Sequence, residues 1–414
     1  MKKGGNVGAP VWREDLSLPP KLGCPTCPDF HRCGGLRVPG PAFDCTSFCD
    51  CSTRAKCTRT CRLNPYYLNR LEEILGFELW RLPPATKTLV PAISGYAPLL
   101  YHGSCRLKTC TAPIVALSFF QLFDRRTGQP RFLSREKLSA HYRISATATI
   151  VVTATEEDPP LERWWKLPSK DLVYVNMKTL GVALVTSPNF SVFNNVPYWD
   201  NQHNLKRIVL SWAELMNNGV PAALHINAHR DADYRAWREF VRDRRDVQAL
   251  SVEFATGMGH RSRIAWHVEQ LCTLAFAAGR PLALIVRGGL QYVSRLKEHF
   301  DSLLLIDTDP FVRTMQRSRG TLGNDFSVLW RHEPTSPGEL LEERLAEAIR
   351  ICDQSFRETL TGAKTSRRSL RATTHKDNKT RNTMGALQDS LLLPTAFTVP
   401  SQDIVAASEA NKAI

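Results

Sequence analysis

Residues 250–307 read LSVEFATGMGHRSRIAWHVEQLCTLAFAAGRPLALIVRGGLQYVSRLKEHFDSLLLID. Three short apolar runs, 250–254, 282–287 and 303–307, each close on or beside a polar residue: Glu253, Arg287 and Asp307. The segments between them, 262–277 and 291–300, carry helical periodicity and are long enough to serve as crossovers. Runs that are apolar throughout, instead of alternating, belong to strands buried on both faces. That is the habit of a parallel sheet covered by helices.

Toward the N-terminus the same grammar continues through runs at 222–227, 182–186, 149–153, 114–118 and 89–93, with helices expected over 202–217 and 231–244. Eight such units in roughly 230 residues, 88–320, match the size of a closed (β/α)8, TIM-like barrel, an α/β fold. No clear helix follows residue 93, so an open doubly wound parallel sheet of six or seven strands stands as the alternative. A helix over 66–77, with Leu68, Leu71, Ile74 and Leu75 on one face, is expected to connect the barrel (within 66–87) to what precedes it. A second amphipathic helix, within 338–360, is expected to cap it.

The chain has 414 residues, 43% of them apolar, enough to bury a full core, and a formal charge of +14. Residues 1–65 contribute +5 and residues 361–385 contribute +6, so the excess sits largely outside the barrel. Residues 1–23 read as a flexible lead-in and 361–414 as a basic, largely disordered tail, and these ends are the expected contacts for DNA or RNA. Lys2 and Lys3 are followed by no apolar stretch of signal-peptide type, and no run approaches the ~20 residues of a membrane span. A cytoplasmic protein with no membrane partner is expected; oligomeric state is not legible.

Eight of the twelve cysteines crowd into 24–65: Cys24, Cys27 and Cys33, then Cys45, Cys49, Cys51, Cys57 and Cys61. The residues between them are rich in Pro, Asp, Arg, Lys, Ser and Thr, which offer a poor apolar core for thiols to pack into. Without an export signal the cluster reads as a metal-binding module, because the cytosol keeps thiols reduced. Four thiolates suit either a tetrahedral Zn2+ or an iron–sulfur cluster, and spacing does not choose between them. Cys105 and Cys110, with His102 nearby, either complete such a site or form an ordinary loop.

In a barrel the chemistry lies at the C-terminal ends of the strands. Strand alternation puts Ser251 with Glu253, Ile285 with Arg287, and Leu303 and Leu305 with Asp307. A carboxylate ending an apolar strand needs a partner, so Glu253 and Asp307 are expected to flank Arg287 as the catalytic cluster. The loop after the fourth run, TSPNFSVFNNVPYWD (186–200), is dense in Asn and aromatic residues. Asn189, Asn194 and Asn195, with Asn227 after the fifth run, are the expected substrate contacts, suited to the edges of a nucleobase.

Residues 45–65, the stretch Ile93-Ser-Gly-Tyr with His102-Gly-Ser, and Thr186-Ser-Pro-Asn-Phe-Ser with Asn195 resemble bacterial families of unknown function carried by phages and plasmids. The architecture is also loosely similar to that of the guanine transglycosylases, metal-bearing barrels with Asp nucleophiles. Their zinc ligands follow most of the barrel whereas these cysteines precede it, so no catalytic residue is carried across. Two functions follow as expectations. One is a metal-containing barrel enzyme acting on a nucleotide, nucleobase or nucleic acid. The other is a non-enzymatic DNA-binding accessory protein of a plasmid or phage.

Overall fold

The computed structural model describes residues 17–19, 73–76, 78–82, 84–85, 88–193, 198–255 and 263–361. The cysteine module, most of the connecting helix, Asn194, Asn195 and the tail lie outside the described residues.

Eight parallel strands close into a barrel in sequence order: β1 Gly95–Leu100, β2 Ile114–Ser118, β3 Thr149–Thr153, β4 Val182–Thr186, β5 Ala222–His225, β6 Ala249–Glu253, β7 Ala283–Arg287 and β8 Ser302–Asp307. Side chains alternate across the wall. Ala97, Leu99, Ala116, Val151, Leu184, Ala223, Ala249, Ile285, Leu304 and Ile306 fill the interior. Their neighbours, such as Leu117, Val152, Val185, Leu250, Val286 and Leu305, face outward into a second core beneath the helices. The helices are α1 Arg135–Tyr142, α2 Asp158–Trp165, α3 Asp171–Thr179, α4 Tyr198–Asn217, α5 Asp231–Asp243, α6 Ile264–Ala278, α7 Val293–Lys297, α8 Asp309–Met315 and α9 Glu342–Leu360. A hairpin of β9 Ser318–Leu322 and β10 Val328–His332 precedes α9. The closed ring excludes the open sheet.

Seven of the eight runs fall on strands; the first does not. Residues 89–93 are irregular, with Leu89 85% exposed, and β1 begins two residues later at Gly95. The strand contains Pro98, which cannot donate to a ladder and ordinarily argues against a central strand. Pro98 ends the register of β1 with β8, opposite Asp307, and the next two residues, Leu99 and Leu100, pair β2 on the other edge.

The loop 101–113 carries no helix. Its organiser is the buried Arg106, whose guanidinium donates to the carbonyls of His102 (2.8 Å) and Tyr142 (2.7 Å). α9 stands beside this loop: Glu342 accepts the N–H of Leu107 (2.6 Å), Leu341 N–H donates to the Cys105 carbonyl (2.8 Å), and Phe356 meets the Tyr96 ring at 6.2 Å. The helix expected as a cap therefore covers the outer wall at β1, where the first barrel helix is missing. Among the described residues no helix is long and apolar enough to cross a membrane.

Candidate active site

The interior turns polar toward the C-terminal ends of the strands. Counting inward positions forward from the apolar layer gives Tyr101, Ser118, Thr153, Thr186, His225, Ser251, Glu253 and Arg287. The lower members are tied to one another. Thr186 Oγ1 donates to Thr153 Oγ1 (3.5 Å), and Ser251 Oγ lies 3.4 Å from His225 Nδ1. Burial holds His225 down at about 3, so its imidazole is neutral.

At the mouth the register of β6 and β7 sets Glu253 directly beside Arg287. Arg287 Nε is 3.3 Å from Glu253 Oε2, with the side chains 18% and 3% exposed. Glu253 Oε1 accepts the N–H of Ala255 (2.7 Å). Burial raises the carboxyl to about 7, more than Arg287 and the Ala255 amide can offset. The two glycines after Arg287 have left-handed backbones, and a Cβ would sit 2.9 Å from Ala255 N at Gly288 and 2.7 Å from Phe254 Cδ2 at Gly289. They bring the ends of β6 and β7 together, which keeps the ion pair in place. Tyr101 completes the rim: its ring packs on Phe311 at 5.6 Å, burial raises its hydroxyl, and Arg287 pulls it back.

Asp307 is not part of this group. β7 aligns Arg287 with Ile306, so Ile306 points inward and Asp307 points to the outer face. There Tyr96 Oη donates to Asp307 Oδ2 (2.8 Å), the Asp309 N–H donates to Oδ1 (2.9 Å), and the Cys352 thiol of α9 is a further partner. Burial raises Asp307 to about 6. Of the three residues expected to cluster, two meet and the third lies behind the wall.

The two described asparagines order loops. Asn189 Oδ1 accepts the N–H of Glu156 (3.0 Å), and Asn227 Nδ2 donates to the Phe190 carbonyl (3.0 Å). Glu156 in turn faces Arg125 at 3.8 Å. Asn201 clamps the same loop through both the N–H (2.9 Å) and the carbonyl (2.7 Å) of Phe193. Phe190 is buried beneath the Arg207 guanidinium, 4.1 Å from its centroid, and is no stacking platform. His229 and Arg230 give their N–H groups to Asp233 (2.7 and 3.0 Å), an N-terminal cap of α5.

Tyr101, the Arg125–Glu156 pair and the His225–Ser251 contact join residues far apart in the chain and are not apparent from spacing. The signal for His225 was its even spacing from Ala223 on an inward-facing strand. Cys105 is exposed and Cys110 half-buried, and among the described residues no three His, Cys, Asp or Glu side chains are placed to hold a metal.

No family model matches the chain, and no curated protein does. The chemistry of the mouth itself carries the functional reading.

Proposed function

We propose that the chain is an enzyme whose barrel mouth transfers a proton on a nucleotide, nucleobase or nucleic-acid substrate. One observation carries this reading: at the catalytic end of a (β/α)8 barrel Glu253 is nearly inaccessible and lies 3.3 Å from the Arg287 guanidinium, where burial pushes its carboxyl up to about 7. A general acid or base works best when its pKa is close to the working pH. A carboxyl in this position can take a proton from the substrate in one step and return it in another. Arg287 holds Glu253 in place and supplies a fixed positive charge for an anionic oxygen that develops on the substrate. Tyr101, half-buried near the pair, adds to the rim an aromatic ring of the kind on which a planar heterocycle can stack. The chain's +14 charge, most of it in the two ends, favours a polyanionic partner such as a nucleic acid.

Cys24, Cys27, Cys33, Cys45, Cys49, Cys51, Cys57 and Cys61 are proposed to hold Zn2+ or an iron–sulfur cluster. Absorption spectroscopy with elemental analysis of anaerobically purified protein separates the two: zinc without colour, or iron with a charge-transfer band.

The deciding experiment incubates the full chain with nucleotides and oligonucleotides and follows products by mass spectrometry, alongside Glu253→Gln and Arg287→Gln. Loss of a proton-transfer group is expected to lower turnover about 10²–10⁴-fold. Turnover unchanged in a folded Glu253→Gln variant refutes the assignment.

A further inference from the structure

A second feature borders the mouth. A groove of about 680 Å3 opens between the loop after β2 and the end of α2, lined by Arg125, Arg126, Arg131, Arg163 and Lys166 over a floor of Leu167 and Pro168. Arg126, Arg131, Arg163 and Lys166 are exposed, and among the described residues none is ion-paired. Exposed cations are ordinary on a basic protein. Here, however, four of them converge on one concavity against only two acids, one folded onto its own loop and the other paired outside the groove, so the lining keeps an excess of positive charge. Asp124 Oδ1 accepts from the N–H of Arg126 (2.9 Å) and from the N–H (2.8 Å) and hydroxyl (2.9 Å) of Thr127. Glu162 is paired with Arg207 at 2.9 Å. The fifth cation, Arg125, reaches from the groove to Glu156, which follows β3 at the barrel mouth.

We infer that this groove is the track for the phosphodiester backbone of a single-stranded nucleic acid whose base enters the barrel mouth. Several unpaired cations along a concave path suit consecutive phosphates, which a lone phosphate would not need. A single strand is favoured over a duplex because a base must leave its stack to reach a pocket inside a barrel. The proposal deepens the proton-transfer reading by making the substrate a polymer, but it is tested by binding alone, so that either can fail without the other.

The probe is a fluorescein-labelled oligothymidylate of about twelve nucleotides, within the usual span of single-strand sites. Its binding to the full chain is followed by anisotropy over a range of salt concentrations. Arg163→Glu/Lys166→Glu is compared with Lys137→Glu/Lys178→Glu, which makes the same change of charge at exposed positions of α1 and α3. Each single-strand phosphate contact contributes about 0.7 to the slope of log affinity against log salt. The groove variant is expected to lose about 1.4 of that slope and at least about tenfold in affinity, while the control keeps the wild-type slope. Arg163 and Lys166 also sit favourably at the C-terminal end of α2, so Arg163→Gln/Lys166→Gln supplies the same test if the reversal unfolds the chain. The inference is overturned if the wild type does not bind, if groove and control variants weaken equally, or if the groove variants bind as the wild type does. It is equally overturned, in favour of an acidic protein partner, if polyglutamate of equal charge competes as well as the oligonucleotide.

Discussion

Replacing Glu253 by Gln should change how the barrel's stability depends on pH. The carboxyl is 3% exposed, and its pKa rises from 4.5 to about 7 on folding, chiefly through burial. A group raised in this way favours the folded state fully below the unfolded value, and that contribution is lost as pH rises through the folded one. With ~1.4 kcal/mol per tenfold change in proton affinity, the full effect is about 3 kcal/mol, most of it between pH ~5 and ~8. Glutamine has nearly the same shape and no proton to lose. Setting a neutral amide against Arg287 adds an offset that does not vary with pH, so the informative quantity is the difference in slope. Urea unfolding followed by tryptophan fluorescence, wild type against Glu253→Gln, should show the variant gaining about 2–3 kcal/mol relative to the wild type between pH ~5 and ~8. All other titrating groups are common to both proteins and cancel. Stability curves that run parallel over this range would falsify the claim that Glu253 ionises at a cost inside the barrel.

Asp307→Asn should show the same sign with an earlier midpoint, because Asp307 is raised only to about 6; allowing for its partial exposure, about 2 kcal/mol should separate variant and wild type by pH ~7. His225, held at about 3 by burial, should keep neutral-imidazole NMR shifts down to pH ~4, and a signal that titrates near the ordinary ~6.5 would show water reaching the interior. Gly289→Ala places a methyl 2.7 Å from the Phe254 ring on a left-handed backbone. It should cost at least ~1–2 kcal/mol in urea unfolding, and turnover should fall with it if the glycine pair positions Arg287.

Most of the barrel was legible because its strands are buried on both faces, and a parallel strand of that kind announces itself as an unbroken apolar run. The first strand was hidden by Pro98, which ordinarily argues against a central strand but here ends the register of β1 with β8. The Glu253–Arg287 pair was legible because both residues end their runs at the same height. Asp307 misled for a related reason: it also ends an apolar run, but β8 stands one residue out of step with β7, and inward or outward facing is a property of register between strands. The asparagines after β4 and β5 share their composition with a ligand-binding loop. Asn189 and Asn227 are spent on a neighbouring strand's loop and on a backbone carbonyl, long-range partners that spacing along the chain does not reveal.

The helix beside β1 comes from the far end of the fold. β1 is made before the helix that covers it, and the wall at Tyr96 receives Phe356 and Cys352 only after some 250 further residues have been made. Until then the staves of the cylinder can pair edge to edge, first with last, but the outer wall at Tyr96 stays open to water. Shortening the chain before residue 342 would leave one stave without its cover, and a nascent chain stalled there would present the same bare wall to any chaperone that recognises it.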